Sequence, residues 1–366
     1  MTRSIRTGRL HALLLVFLVG LLVACGTPVT PTPVAEQPTE VTVADNPEAS
    51  AAPVEVPTEV PPAQDPTAAP TTAPTVPVTV VSPTAVVPPT APPTVASRPP
   101  TAAPPARPVT TSALATRRLV TFYGHPYDNR MGVLGEYDPA VVIQKLKEQT
   151  AAYTAADPSR PGLCTVELIA SVAQGSPGKD GLYLARTPTA EIEKWAQLTQ
   201  QQGCLLLLDI QMGYDSVDND IKAILPFLQR PHVHLAIDPE FHVARGKIPG
   251  ESFGSVSSTE VAGAMKTLQG LVQQYNLPDK ILVLHQFRDD MLPDKANIKP
   301  MANVDLVVMM DGWGLPQAKI ANYGAFIRDE PIQYGGIKLF YKQDDPLLTP
   351  AEVIQLDPSP LVIIYQ

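Results

Sequence analysis

The sequence predicts an α/β protein whose folded part, residues 117–366, is a closed (β/α)8 barrel. Three observations lead to this prediction: eight apolar runs, amphipathic stretches between them, and a length of about 250 residues, which is typical of such barrels. Several runs are nearly continuous Leu, Val and Ile, as expected of parallel strands that are covered on both faces. An open doubly wound sheet is the alternative, but no Gly-rich phosphate loop follows any of the runs.

The strands and helices are predicted in alternating order. The strands are residues 119–123, 165–173, 205–210, 233–237, 281–284, 304–310, 337–341 and 361–365. The first helix starts at Pro139, directly after Asp138. The second begins in TPTAEIEK and stops at Gly203, the third has Ser257 and Glu260 in capping-box spacing, and TPAEVIQL is a short last helix.

The N-terminus has the pattern of a secretion signal. Three arginines precede the apolar run 13–23, which ends in LVACG at Cys25. This pattern resembles a bacterial lipoprotein signal peptide, residues 1–24, with its lipobox. The resemblance implies cleavage before Cys25, attachment of acyl chains to its sulfur, and anchoring to the cell membrane on the extracytoplasmic side. An uncleaved anchor or an ordinary secretion signal is the alternative.

Residues 25–116 are predicted to be a disordered spacer. They are nearly all Pro, Thr, Val and Ala, and they contain more than half of the chain's 42 prolines. Proline fixes φ and removes backbone donors, and the segment shows neither helical nor strand periodicity. Such a composition favours a semi-rigid, polyproline-like spacer that holds a folded domain away from a membrane.

Charge and cysteine content narrow the functional classes. The net charge is −9, and the folded part has no basic runs, which argues against nucleic acid as a partner. Cys164 and Cys204 each start a predicted strand, and these two strands should be neighbours. In an oxidising compartment they form either a disulfide or two small buried side chains. No cofactor is expected.

The predicted strands turn polar at their C-terminal ends, where the active sites of such barrels lie. The residues there are Tyr123, His125, Asp209, Gln211, Asp238, Glu240, His285, Gln286, Asp311, Trp313, Gln343 and Asp344, with Tyr341 at the end of the seventh strand. Together they predict a polar cup. Burying so many polar groups is costly unless they satisfy one another or a ligand does.

Asp238, Glu240 and Asp209 are the candidate catalytic residues. Because a strand has a side-chain period of two, Ala236, Asp238 and Glu240 share a face, and the small Ala236 suits the lumen. Adjacent parallel strands bring Asp209 close to this pair. Grouped carboxylates raise one another's pKa, so that one stays protonated beside a charged partner, as glycosidic bond cleavage requires.

The D-x-E pair after the fourth strand resembles chitinase-like and lysozyme-like glycoside hydrolases. That resemblance implies that Glu240 is the proton donor and that Asp238 orients it or stabilises an intermediate. The longer chitinase motif has acids where this chain has Val233 and Ala236, so substrate-assisted chemistry is in doubt. More broadly, YGHP, LIASVA, LDIQ, IDPEF, LHQF, MDGWG and IIYQ resemble uncharacterised bacterial secreted lipoproteins with a glycoside-hydrolase-like barrel.

Several rim residues have two interpretations. Trp313 and Tyr341 stack on sugar rings or pack the rim, and His125 and His285 bind substrate or are structural. Asp344 lies where many barrel glycosidases have a nucleophile, or it caps a turn.

Three functions fit the pattern. The first is a surface-anchored glycoside hydrolase that acts on cell-envelope or environmental polysaccharide. The second is a non-catalytic barrel that binds glycans or a small ligand. The third is a divalent-metal-dependent hydrolase, whose oxygen-rich ligands would come from Asp209, Asp238, Glu240, His285 or Asp311.

Overall fold

The computed structural model describes residues 110–366. The expected signal peptide 1–24, the lipidation site Cys25 and nearly all of the spacer 25–116 lie outside the described residues. No helix within 110–366 combines the length and the apolar character that crossing a bilayer requires.

Nine strands are present in the described chain, and eight of them form one ring. The strands are β1 (Arg118–Gly124), β2 (Gly162–Ala173), β3 (Leu184–Arg186), β4 (Leu205–Ile210), β5 (Val233–Ile237), β6 (Lys280–Gln286), β7 (Val304–Met310), β8 (Tyr334–Leu339) and β9 (Val362–Tyr365). The order of pairing is β1, β2, β4, β5, β6, β7, β8, β9, all parallel, and β9 pairs with β1. β3 adds antiparallel to the end of β2. The sheet therefore closes into a parallel eight-stranded barrel, and the predicted fold class is confirmed.

Six α-helices of the described chain surround the barrel. They are α1 (Pro139–Ala156), α2 (Thr189–Gln202), α3 (Val217–Leu228), α4 (Ser258–Tyr275), α5 (Pro316–Tyr323) and α6 (Pro350–Ile354). The predicted signals are present at three of them: Pro139 begins α1, Gly203 ends α2 with φ 69°, and Ser257 and Glu260 form a capping box on α4.

The sequence pattern did not predict α3 and α5. Pro226 near the end of α3 obscures its helical pattern, although Ser216 caps the helix by accepting from the Asn219 N–H at 3.2 Å. α5 has only eight residues, with Pro316 first. The sequence of α3 does carry a helix signal, the Ser216 cap and an apolar face at helical spacing that includes Ile221 and Ile224, whereas α5 is too short to show one.

The side-chain period of two divides each strand between two hydrophobic layers. In β1, Val120 and Phe122 pack between the barrel and the helices, whereas Leu119 faces the lumen. In β5, Leu235 packs towards the helices and Ala236 towards the lumen, as predicted. The lumen is therefore filled by side chains, and the polar residues that extend this inward set lie at its C-terminal end.

Residues 110–116 pack against the N-terminal end of the barrel, although the sequence assigned them to the spacer. Leu114 is 1% exposed and belongs to the lumen cluster. The Thr110 hydroxyl donates to Asp305 near the start of β7 at 2.6 Å, and the Ser112 hydroxyl donates to the same carboxylate. The packed chain thus begins before residue 117 and covers the N-terminal end of the lumen.

Cys164 and Cys204 form a disulfide. It joins the start of β2 to the residue before β4, and these two strands are neighbours in the barrel. Of the two outcomes that the sequence left open, the structure has the covalent bond.

Candidate active site at the C-terminal end of the barrel

Charged and polar side chains converge in the upper lumen, towards the C-terminal ends of the strands. They come from seven different strands or from the residues that directly follow them: Tyr123, Glu167, Asp209, Asp238, His285, Asp311 and Lys338. None of the seven is more than 7% exposed. The convergence follows from closure of the barrel, because each residue occupies the inward parity of its strand.

His285 is the centre of this cluster. Its Nε2 donates to Glu167 Oε1 at 2.8 Å, and its Nδ1 donates to Asp311 Oδ2 at 2.9 Å. Burial by itself lowers the pKa of His285, but the two carboxylates outweigh burial and raise that pKa well above its usual value. His285 is therefore an imidazolium held between two acids.

Lys338 is the second cation in the lumen. Its Nζ donates to Asp311 Oδ2 at 3.2 Å and lies 3.8 Å above the centre of the Tyr123 ring. Burial works against the charged forms of both partners, but Lys338 and His285 lower the pKa of Asp311, and the surrounding acids raise the pKa of Lys338. The Lys338–Asp311 pair is thus ionised on both sides.

Tyr123, Asp209 and Gln211 form a hydrogen-bonded group beside the cations. The Tyr123 hydroxyl donates to Asp209 Oδ2 at 3.4 Å and accepts from Gln211 Nε2 at 3.3 Å. Gln211 also accepts from the Ala173 N–H at 2.9 Å, which fixes its amide. Burial is the main reason why the pKa of Asp209 rises to about 7.

Asp238 and Glu240 lie at the mouth of the lumen. The strand stops at Ile237, and a 3-10 turn, Pro239–Phe241, follows it, so Glu240 does not continue a strand as the period-two argument assumed. Asp238 caps this turn by accepting from the Glu240 N–H at 3.3 Å. Glu240 is half-buried, whereas Asp238 is 2% exposed.

Both carboxyl groups at the mouth have raised pKa values. Burial is the largest cause for each: it raises the pKa of Glu240 to about 7, with a further contribution from Asp311, and it raises the pKa of Asp238 well above its usual value. Near neutral pH, Glu240 therefore exchanges its proton readily while part of it is exposed at the mouth.

The cluster has more acids than bases. Five carboxyl groups (Glu167, Asp209, Asp238, Glu240 and Asp311) face two cations, His285 and Lys338. Three buried carboxylate oxygens in the lumen, one each on Glu167, Asp209 and Asp311, have no hydrogen-bond partner. Buried polar atoms are normally satisfied, so the unpaired oxygens indicate a site for protons, water or a ligand.

Four of the predicted substrate-binding residues are in or beside this cluster: Tyr123, Gln211, His285 and Asp311. The other six, His125, Gln286, Trp313, Tyr341, Gln343 and Asp344, are not part of it. Gln286 has outward parity on β6, like Leu282 and Leu284, and lines a cavity of about 580 Å³ outside the barrel. Gln343 is exposed.

Tyr341 and Asp344 have structural contacts. The Tyr341 ring stacks on Tyr365 with 5.1 Å between ring centres and lines a cavity of about 560 Å³ on the α1 side of the barrel wall. Asp344 forms an ion pair with Lys319 at 3.0 Å and accepts the Phe340 N–H at 2.9 Å. The turn-capping interpretation of Asp344 therefore agrees with its contacts.

His125 and Trp313 lie near the rim. His125 is 8% exposed, and its Nε2 lies 3.1 Å from the Thr187 hydroxyl, whose proton goes to the Ile169 carbonyl at 2.7 Å. Trp313 is 68% exposed, which is unusual for so large an apolar side chain.

Sequence reasoning missed Glu167 and Lys338. Each is a single charged residue within an apolar strand: Glu167 lies between Val166 and Leu168, and Lys338 between Ile337 and Leu339. Such residues are almost never fully buried unless they are paired, so an isolated charge in a buried strand was a usable signal.

The fold and the site together define a parallel (β/α)8 barrel with a buried acid–base cluster at the end where barrel enzymes act. No family model and no curated protein matches the chain. Similar solved structures include the Bacillus subtilis mannanase man26, at 12% identity and TM-score 0.37, covering 70% of this chain and 82% of that chain.

Two further solved structures match at the same level. A GH18 chitinase from Pseudoalteromonas aurantia is 13% identical over 68% of this chain and 93% of that chain, with TM-score 0.34. An oxaloacetate acetylhydrolase is 13% identical over 70% of this chain and 80% of that chain, with TM-score 0.35. These proteins differ in activity, and similarity this low carries no functional argument.

Proposed function

We propose that the barrel hydrolyses glycosidic bonds, with Glu240 as the proton donor and Asp238 as its partner carboxylate. The observation that carries the proposal is the position of Glu240: a half-buried carboxyl group that follows β5 at the barrel mouth and interacts electrostatically with Asp311, Lys338 and His285. Active sites of such barrels lie at this end. Glycosidic bond cleavage by paired carboxyl groups needs one acid that donates a proton and a second that is charged in the transition state.

The electrostatics of the site support Glu240 as the donor, whereas Asp238, whose pKa burial also raises, must lose its proton before it can act as the charged partner. A general acid works best when its pKa lies near the working pH, and the pKa of Glu240 is about 7. Asp209 assists by holding a further exchangeable proton in the cluster, since its pKa is also raised to about 7. His285 and Lys338 supply fixed positive charge close to Asp238 and Glu240. The site therefore holds a protonated acid and charged groups together.

Aromatic side chains at the rim supply a surface for sugar rings. The Phe253 and Phe287 rings lie 5.5 Å apart, the Arg288 guanidinium lies 4.6 Å above Phe253, and both Phe253 and Trp313 are more than half exposed. These residues follow β5, β6 and β7, so they lie on the same end of the barrel as Glu240. Exposed aromatic faces suit the apolar faces of sugar rings.

The substrate that we propose is a polysaccharide of the cell envelope or of the surroundings. This part of the proposal rests on the sequence: the resemblance to a lipobox at Cys25 implies a lipid-anchored protein on the extracytoplasmic side of the cell membrane, and the Pro- and Thr-rich composition of residues 25–116 is typical of a spacer that would give the barrel reach. A polysaccharide is the large polar substrate that such a tethered enzyme would meet.

The test is the release of reducing sugar from a panel of envelope and environmental polysaccharides. Glu240→Gln should lower kcat by at least about 100-fold, because it removes the proton donor, while the variant stays folded and keeps substrate binding. Glu251→Gln is the matched control, since Glu251 is exposed in the same loop and should leave kcat unaltered.

Two outcomes would contradict the proposal. Calorimetric binding of a polysaccharide without any turnover by the wild-type chain would make the barrel a glycan-binding module. Loss of both folding and activity in Glu240→Gln would assign Glu240 a structural role.

A further inference from the structure

The deeper part of the lumen contains a group of side chains to which the proposed function gives at most an assisting role, and which are of the types that bind metal ions. Glu167 lies in the middle of β2, Asp209 near the end of β4 and His285 near the end of β6. One potential ligand atom from each of the three lies within 4.8 Å of the others. All three side chains are 0% exposed.

We propose that Glu167, Asp209 and His285 bind one first-row divalent transition ion of the zinc or manganese type. Two carboxylates and one imidazole form a mixed oxygen and nitrogen ligand set. Carboxylate oxygens alone would favour Mg²⁺ or Ca²⁺, whereas imidazole favours the transition metals. The site therefore differs from the oxygen-rich set that the sequence suggested.

Unpaired oxygens are the second observation that indicates a cation here. Glu167 Oε2 and Asp209 Oδ1 are buried and have no hydrogen-bond partner within the described chain. A buried carboxylate oxygen without a partner costs free energy, and a bound cation removes that cost. The lumen also contains five carboxyl groups but only two cationic side chains, and this surplus of acids likewise favours a bound cation.

The orientation of His285 is that of a metal ligand. Its Nδ1 donates to Asp311 Oδ2 at 2.9 Å, so that Nε2 points at Glu167, 2.8 Å away. A carboxylate that holds the outer nitrogen of a ligating histidine is the usual support of such ligands. Lys338, 3.2 Å from the same Asp311 oxygen, keeps Asp311 in this positioning role.

Binding the ion needs modest side-chain movement. The hydrogen bond between His285 Nε2 and Glu167 Oε1, at 2.8 Å, holds the proton that the ion would replace. Zinc–ligand distances of about 2.0–2.2 Å place neighbouring ligand atoms roughly 3–3.5 Å apart, so this contact widens while the longer separations in the group, up to 4.8 Å, close. The released proton goes to solvent, as in other histidine sites.

The first experiment titrates the full chain, freed of metal by chelator, with Zn²⁺ in a calorimeter and in parallel thermal melts. We expect one Zn²⁺ per chain and a rise in melting temperature. Glu167→Gln and Asp209→Asn, which keep side-chain shape, should each weaken binding by at least about 100-fold. Asp311→Asn should keep the stoichiometry and weaken binding about 10–100-fold, as loss of an outer-sphere partner does.

His242→Ala is the matched control for nonspecific binding. His242 forms a His–carboxylate pair with Glu260, 3.8 Å apart, outside the lumen, and its removal should leave the binding of Zn²⁺ unchanged. No heat and no rise in melting temperature in the wild-type chain at millimolar Zn²⁺ would overturn the proposal. Equal binding by the wild type and by both ligand variants would also overturn it, because the ion would then lie elsewhere.

If a ligand variant does not fold, a second measurement on the wild-type chain tests the proposed metal site. With Co²⁺ as the probe, NMR should show one hyperfine-shifted, exchange-protected ring N–H resonance, that of His285 Nδ1–H. Its absence from a protein that binds Co²⁺ would contradict the proposal. Zinc binding is measured without substrate, and Glu240→Gln should keep the zinc stoichiometry, so either proposal can fail while the other stands.

Discussion

The two ends of the barrel differ in how their buried charged side chains are paired. At the N-terminal end, Lys280 Nζ donates to the carbonyls of Arg230 at 2.6 Å and Val233 at 2.8 Å, and Asp305 accepts from Thr110 and Ser112. At the C-terminal end, carboxylates remain with unpaired oxygens. Paired polar groups support the fold, whereas unpaired ones cost stability and are retained where a ligand or a reaction needs them.

The two ends also differ in the direction of their pKa shifts. Burial lowers the pKa of Lys280 to about 7 and raises the pKa of Glu240 to about 7. Each shift favours the neutral form of the buried group, but their effects on stability have opposite dependence on pH. The comparison can therefore be tested by changing one residue at a time at each end.

The largest effect is expected from Lys338→Met. This change leaves Asp311 and the other buried acids with only His285 as a cation, so the free energy of unfolding should fall by about 3–5 kcal/mol. Chemical denaturation at pH 7 measures it. Lys342→Met is the control: Lys342 is exposed beside the same strand and pairs with Glu136 at the surface, so its loss should cost under about 1 kcal/mol. Equal effects of the two substitutions would contradict the ionised Lys338–Asp311 pair.

Removal of the disulfide should have the next largest effect. Cys164 and Cys204 are 40 residues apart, and opening a loop of that size should cost about 3–4 kcal/mol of unfolding free energy. The Cys164→Ala, Cys204→Ala double variant would show this in denaturant, while Zn²⁺ binding by the folded fraction should not change. A loss of Zn²⁺ binding in that fraction would show that the two ends are coupled.

Glu240→Gln should change how stability depends on pH. In the wild type the folded chain keeps the Glu240 proton between about pH 4.5 and 7, whereas the unfolded chain has lost it, so stability falls as pH rises through this window. The variant lacks this loss of stability. The difference in the free energy of unfolding between the variant and the wild type should therefore grow, in favour of the variant, by at most about 1.4 kcal/mol per pH unit. Denaturation at several pH values measures the difference, and a constant difference would refute the raised pKa.

Lys280→Met should give the opposite slope at the other end. Above about pH 7 the folded chain holds Lys280 neutral, but the unfolded chain stays protonated up to about pH 10.5, so wild-type stability rises across this window. The variant should lose that rise, whereas Lys266→Met, an exposed change on α4, should keep it. A rise that persists in Lys280→Met would show that another group causes it.

The architecture could be predicted from the sequence because its signals are local. Apolar runs, Pro139 at a helix start and the Ser257–Glu260 box each specify one element without reference to distant parts of the chain. The inward direction of the Asp238 and Asp209 side chains could be predicted in the same way, since it depends only on position within a strand.

The centre of the site was less predictable because its pairs are distant in sequence. His285 and Glu167 are 118 residues apart and meet only when the barrel closes. Gln286 and Tyr341 illustrate the opposite error: both follow apolar runs, but one has outward parity and the other lies outside the wall, on the α1 side. A polar residue at a strand end is therefore predicted to lie near the rim. It is predicted to lie in the lumen only if its position on the strand also faces inward in the closed barrel.

Thr110, the first described residue, is hydrogen-bonded to Asp305 at the base of β7. The described chain therefore enters the barrel at the end opposite Glu240. A label attached at Thr110 would lie at that end and leave access to Glu240 unobstructed.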